Sequence, residues 1–404
     1  MSFNTGLSGL NAASQQLDVI GNNVSNASTV GFKASDTLFA DVYANSLGAV
    51  SDTSVGLGTS VSAVQADFGQ GNITATTNPL DVAINGTGFF RMDSGGTINY
   101  SRNGQFHVDN NGFIVNAQGA NLTGYGVGAS GAVVPSNPGP MQVSTSDLVP
   151  NATTTALTVL NLDSRDATIS TPFNLTNPAT YNSSTSMSVY DTLGNAHTLS
   201  TYYVKTAANT WSVYGSLDGG ASSTVGTLNF NTDGTLNTTT TTVPFNVTDP
   251  LTNGATTPLA FALDYTGSTQ FGSAFGTTTL NQDGFTSGKL SGFSVSPDGT
   301  MVGSYSNGQT RTLGQVVLST FSDPQGLAPL GGNLYAETAA SGQPVTGVPG
   351  SGSLGVVQSS AVEESNVDLT KELVDMITAQ RVYQANAQTI KTEDQVMNTL
   401  VNLR

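Results

Sequence analysis

The sequence contains no cysteine, which excludes disulfides, thiolate metal sites and a cysteine nucleophile. Charge is also scarce. Eleven lysines and arginines stand against 27 aspartates and glutamates in 404 residues, a formal net charge of −16. The cations are scattered singly from Lys33 to Arg404, so no basic patch can neutralise phosphates, and neither nucleic acid nor membrane insertion is expected. His107 and His197 are the only histidines, too far apart for metal-ligand spacing. No apolar run reaches the length of a signal-peptide core or a membrane span. A cleaved leader is therefore not expected, and export, if it occurs, is expected to use another route.

What is present points to β structure. Glycine numbers 46, serine, threonine and asparagine are abundant, and charged residues make up only 9% of the chain, a composition of β-rich secreted or fibrous proteins more than of large enzymes. The length allows more than one core. Asn-Gly and Asp-Gly pairs begin at 85, 103, 111, 218, 233, 283, 298 and 307 and separate short alternating segments, which is a hairpin signal. Residues 97–115 read as a β-meander turning at Asn103-Gly104 and Asn111-Gly112. Prolines at 135, 138, 140 and 150 then precede a Thr/Ser/Asn-rich block whose apolar runs, such as 199–204, suggest a second β domain inserted in the first. Residues 344–355 read as a linker.

Both ends carry a helical signal. Phe3, Leu10, Leu17 and Val24 recur every seven residues, with Leu7, Ala13 and Ile20 between them. Near the other end Val362, Leu369, Met376, Tyr383, Ile390 and Met397 form a second such series, supplemented by Leu373, Ala379, Ala387, Leu400 and Val401. Helix-favouring glutamate is confined to positions 337, 363, 364, 372 and 393, so composition agrees with pattern there. Two starts compete for this helix: a capping box of Ser360 with Glu363, and an N-cap at Asp368. Its seam is longer than the N-terminal helix can cover, which leaves further copies of the chain as the simplest partner. The subunit-interface positions expected are Leu7, Leu10, Leu17, Ile20, Leu369, Leu373, Met376, Tyr383, Ile390 and Met397.

Motifs of catalysis and cofactor binding fail on context. Residues 126–131 and 350–355 match G-x-G-x-x-G, but neither has both the preceding strand and the following helix of a dinucleotide site. Gly31-Phe32-Lys33 lacks the spacing of a phosphate loop. Asp109-Asn110-Asn111-Gly112 lacks the alternating acids and final glutamate of a calcium loop, and a turn explains it. No G-x-S-x-G occurs. Catalytic, cofactor and metal sites are therefore expected to be none. Gly21, Asn22 and Asn23 read instead as helix-ending residues, and Gly31 with Phe32 as a sharply turned hinge opening a connector.

Long stretches resemble the axial proteins of the bacterial flagellum, the rod/hook family. S-G-L-N-A-A-S-Q-Q-L-D-V-I-G-N-N-V-S-N-A-S-T-V-G-F-K at 8–33 is similar to its N-terminal signature, and E-S-N-V-D-L-T-K-E-L-V-D-M-I-T-A-Q-R-V-Y-Q-A-N-A-Q-T-I-K-T at 364–392 to its C-terminal one. N-G-T-G-F-F-R-M at 85–92 and Y-S-R-N-G-Q-F at 100–106 resemble rod and hook relatives alike, whereas S-V-Y-D-T-L-G-N-A-H-T-L at 188–199 and Y-S-N-G-Q-T at 305–310 resemble the hook branch. The resemblance implies a mainly β fold with paired N- and C-terminal coiled-coil helices and two outer β domains, the outermost inserted in the other. It implies an inner helical domain at 1–27 and 363–404, a connector at 28–72 and 345–362, a β domain at 73–146 and 285–344, and an outer domain at 147–284. It further implies a structural, non-enzymatic subunit that polymerises into a curved, flexible tube transmitting torque. The implied partners are the flagellar rod, hook cap, hook-filament junction and hook-length-control proteins, and the type III export apparatus. A straight distal rod protein is the rival within the family, and a secreted β-sandwich adhesin the rival outside it.

Overall fold

A computed structural model describes residues 2–42, 56–128, 131–144 and 146–402. The chain divides into two compact units: Met1–Thr145 with Gly292–Gly303 and Thr310–Arg404, and an inserted unit of Ser146–Ser291 with Ser304–Gln309.

The first unit begins with helix α1, Ser2–Ser25, and ends with helix α2, Leu369–Asn402. Asp368 starts α2: its Oδ1 accepts from the Thr370 amide at 2.8 Å and the Lys371 amide at 3.2 Å, so two of the helix's orphan donors are satisfied. Ser360, the competing start, has φ of 56° and is followed by strand Ala361–Glu363. Between the helices the central strand is Phe89–Ser94, paired antiparallel with Thr97–Ser101, Asn121–Tyr125 and Leu318–Thr320. Its core is aromatic. Phe89, Tyr100, Phe321 and Tyr335 pack with Leu327, and the Tyr100 and Phe321 rings meet edge-on at 4.7 Å between centroids.

Two expectations fail in this unit. The meander is not continuous: Thr97–Ser101 pairs with Phe89–Ser94 and Leu334–Ala336, and not with the strand after Asn103-Gly104. Gly104 answers a different need, because a Cβ there would run into the Val82 carbonyl. The second turn does form, and Asp109 Oδ1 accepts from the Asn111 and Phe113 amides at 2.9 and 2.7 Å to hold it. The stretch read as a linker is also ordered backbone. Within it Val345–Gly347 pairs with Leu318–Thr320, and just beyond it Val356–Ser359 pairs with Val82–Asn85 and Ala361–Glu363 with Ile73–Ala75. Strands of three or four residues among prolines and glycines are too short to leave a periodic signal.

The inserted unit is a β-sandwich. One sheet runs in the order Phe245–Asp249, Leu259–Asp264, Thr155–Asn161, Gly276–Gln282; the other runs Ser183–Tyr190, Ala196–Ala207, Thr210–Leu217, Ser223–Asn229. Alternation makes the core. Leu160, Phe261 and Leu263 from the first sheet meet Val189, Leu199 and Val213 from the second. Polar atoms taken into that core find partners: Trp211 Nε1 donates to Gln270 Oε1 at 2.9 Å, and the Tyr203 and Tyr265 hydroxyls lie 3.2 Å apart.

Candidate assembly surface

Helices α1 and α2 pack antiparallel, with Gly6 opposite Ile390 and Asn23 opposite Glu372. The residues between them are small. Gly6, Ala12 and Ala13 of α1 and Ala379 of α2 are buried, and a Cβ on Gly9 would come within 2.7 Å of the Asn386 side chain. Close approach of two helix backbones needs this, since interaxial distance follows side-chain size at the contact. Of the two seven-residue series, Ile390 packs against Gly6 in this contact. Ile20 is buried and Leu10, Leu17, Met376 and Ile390 are half-buried, while Leu7, Leu369, Leu373, Tyr383 and Met397 are exposed. Leu373 leaves 50% and Met397 61% of its surface open. Leu400 and Val401 have side chains outside the described residues.

A two-stranded ribbon covers part of this pair. Ser35–Val42 pairs antiparallel with Gly58–Ala66, and its strands pack on α1. Phe39 of the ribbon, Ala12 and Ala13 of α1, and Val382 of α2 line a groove of about 420 Å³. Leu38 and Val64 on the ribbon are exposed. Exposed large side chains are thus present on both helices and on the ribbon. No described helix is long and apolar enough to cross a membrane.

The chain between α1 and the ribbon turns sharply. Gly21, Asn22 and Asn23 are not helix-ending residues: α1 continues to Ser25. Asn23 is buried and acts as a bridge, donating to Ser35 O at 2.9 Å and to Glu372 Oε1 at 3.0 Å while its Oδ1 accepts from the Ser35 amide at 2.9 Å. One side chain thereby joins α1, the ribbon and α2. Burial raises the Glu372 pKa, which the Asn23 bond only partly opposes. Gly31 does lie at the turn, with φ of 71°. It is packed tightly, since a Cβ would sit 2.6 Å from the Asn103 amide nitrogen, and half-buried Phe32 follows it.

Beside Gly31 lies a set of charges that motif reading missed. Glu363 accepts from Lys33 Nζ at 2.7 Å, the Gly71 amide at 2.9 Å and Arg102 Nη1 at 3.3 Å, and its carbonyl accepts from the Gly31 amide at 2.8 Å. All three charged side chains are almost wholly buried. Burial pulls the Lys33 pKa down, and the Glu363 carboxylate pushes against that shift. Arg102 also donates to Gly86 O at 2.8 Å and stacks over the Phe89 ring at 5.6 Å. The signal available in the sequence was rarity: in a chain with 11 basic residues, Lys33 beside a turn glycine had a reason to be there. The phosphate-loop comparison drew attention to it for the wrong chemistry.

Comparison with known proteins fits this arrangement. Residues 3–33 match the family "Flagella basal body rod protein", 83–159 "Flagellar hook protein FlgE/F/G D1 domain", 161–285 "Flagellar basal body protein FlaE D2 domain", and 358–403 "Flagellar basal body rod FlgEFG protein C-terminal". Flagellar hook protein FlgE of Salmonella typhimurium is 45% identical over 414 residues, with 100% of both chains covered. That of Escherichia coli is 44% identical over 412 residues, again with 100% of both covered. The crystal structure of Helicobacter pylori flagellar hook protein FlgE2 shares the fold at 13% identity, with a TM-score of 0.51 over 70% of this chain and 99% of that one. Full-length identity at this level, on a mainly β chain whose terminal helices pack together, shows that the protein belongs to the flagellar hook protein family and is a structural subunit of the hook, the extracellular part of the flagellum, and not an enzyme.

Proposed function

We propose that the exposed apolar surface of α1, α2 and the ribbon is where copies of the chain join into a curved, flexible tube that passes torque from rod to filament as a universal joint. Family membership implies polymerisation. The observation that carries the surface assignment is the inverted use of side-chain size: glycine and alanine lie between the helices, and Leu7, Leu369, Leu373, Tyr383 and Met397 face outward. Leu10, Leu17, Ile20, Met376 and Ile390 support that surface from half-buried or buried positions. Gly31 and Phe32 fix where the chain leaves the helical layer.

In this reading 1–27 with 363–404 forms the inner layer, 28–72 with 345–362 the connector, 73–146 with 285–344 the β domain, and 147–284 the outer domain. The charge-poor Ser/Thr/Asn surface suits contacts that are remade as the tube curves, because exposed ion pairs add little stability and fix register. The rod, hook cap, hook-filament junction and hook-length-control proteins are the proposed partners, with delivery through the flagellar export apparatus. Electron microscopy of the purified protein after polymerisation tests the reading. Curved tubes support it; straight ones would favour a distal rod role, and no assembly at all would sink it.

A further inference from the structure

One end of the inserted sandwich holds a cluster of a histidine and two aspartates. The turn joining Ser183–Tyr190 to Ala196–Ala207 closes on Asp191, whose Oδ1 accepts from the Leu193 and Asn195 amides at 2.9 Å each. Its Oδ2 accepts from Asn195 Nδ2 at 3.0 Å and Asn253 Nδ2 at 2.5 Å. His197 lies between this carboxylate and another, with Nε2 3.2 Å from Asp191 Oδ2 and Nδ1 2.6 Å from Asp218 Oδ2. Neutral imidazole has a single N–H, and the imidazolium has two. Only the cation satisfies a carboxylate at each nitrogen. Asp218 has φ of 49° and Gly219 φ of 71°, the left-handed pair that an Asp-Gly turn adopts. Asn253 brings in the loop at 250–257, and the Thr256 amide adds a bond to Thr192 Oγ1 at 2.9 Å.

We propose that His197 is a proton-operated latch between the turns at 191–195 and 218–220, closed by the doubly protonated ring and opened by rising pH. Burial alone would favour the neutral ring, but hydrogen bonds and charge from Asp218 and Asp191 outweigh it and hold the imidazole pKa above its ordinary value. Burial also opposes ionisation of Asp191 and Asp218, yet the donors around them keep both carboxyls below the usual range. Asp249 is the remaining titratable group lining the adjoining cleft of about 230 Å³; burial raises its pKa, and its Oδ2 is buried without a hydrogen-bond partner. Among the described residues no lysine or arginine lines that cleft.

The signs define a window. A raised imidazole pKa gives stability that is full below about pH 6.5 and lost as pH rises through the folded value. The lowered aspartates give stability that is full above about pH 4 and lost as pH falls through their folded values. The latch therefore opens on the alkaline side by loss of one proton. Asp191 is fully buried and keeps four other donors, whereas Asp218 is 53% exposed and keeps one, the Thr198 amide at 2.7 Å. The Nδ1 contact to Asp218 is the one that parts.

Proton NMR of the His197 imidazole in the full-length protein tests this. Its midpoint is expected above the ordinary imidazole value of about 6.5. Amide exchange at 217–220, beyond its intrinsic rise with pH, is expected to quicken through the same midpoint. Asp218→Asn is expected to move the His197 midpoint down toward the ordinary value. A midpoint at or below about 6.5, or exchange at 217–220 with no inflection at the His197 midpoint, would overturn the proposal. The wild-type titration decides even if the variant does not fold, and its outcome is independent of tube formation.

Discussion

In the inserted sandwich Trp211, Leu263 and Tyr265 are wholly shielded from water, whereas in the terminal helix pair Phe3, Leu373 and Met397 each leave half or more of their surface exposed. Both regions have enough apolar area for a core of their own. They spend it differently: the sheets put large side chains inside, and the helices put glycine and alanine inside and large side chains outside. A sandwich arranged this way is complete in one copy of the chain. The helix pair carries a surplus that a second copy can bury, at roughly 25 cal/mol per Å² of apolar surface.

The contrast can be broken at the sandwich first. Phe261→Ala removes a buried ring and should cost about 3–5 kcal/mol. Trp211, the single tryptophan, packs in the same core and reports the unfolding by its fluorescence. Tube formation at temperatures below the new transition should persist, because the change lies in the inserted unit and both helices belong to the other.

Glu363→Gln is expected to come next, at about 3 kcal/mol in denaturant titration, because it leaves Lys33 and Arg102 buried without their counter-charge. This position belongs to the unit that carries the helices yet behaves as core, so a cost under about 1 kcal/mol would show that burial there is weaker than the geometry implies.

The smallest effect on the isolated subunit is expected at Leu373→Asp. A surface change of this kind should alter its stability by no more than about 0.5 kcal/mol, while tubes fail to form and motility is lost. A loss of subunit stability as large as that of Phe261→Ala would mean that Leu373 is core and that the two regions do not differ in kind.

Periodicity made both helices legible, and the Asn-Gly and Asp-Gly pairs made the β interior legible. Even the start of α2 was present as one of two caps, and Asp368 proved the correct one. The contact between helices was not legible, because a pattern of large apolar residues gives no weight to Gly6, Gly9, Ala12 and Ala13. Asn23 looked like a helix stop for a related reason: its role depends on Ser35 and Glu372, which lie far away or out of register in sequence. His197 could be read from sequence only as an isolated histidine, since Asp218 reaches it from the end of the neighbouring strand and Asn253 reaches its partner Asp191 from a loop of the other sheet.

Glu363 gathers donors from positions 31, 33, 71 and 102, all far before it in the chain. Two cations brought together in a dry corner repel each other, so those segments have no stable arrangement there until a residue about 260 positions further on supplies the anion. The corner thus ties the turn that positions α1 to the strand that leads into α2, so both ends of the chain are anchored through one carboxylate.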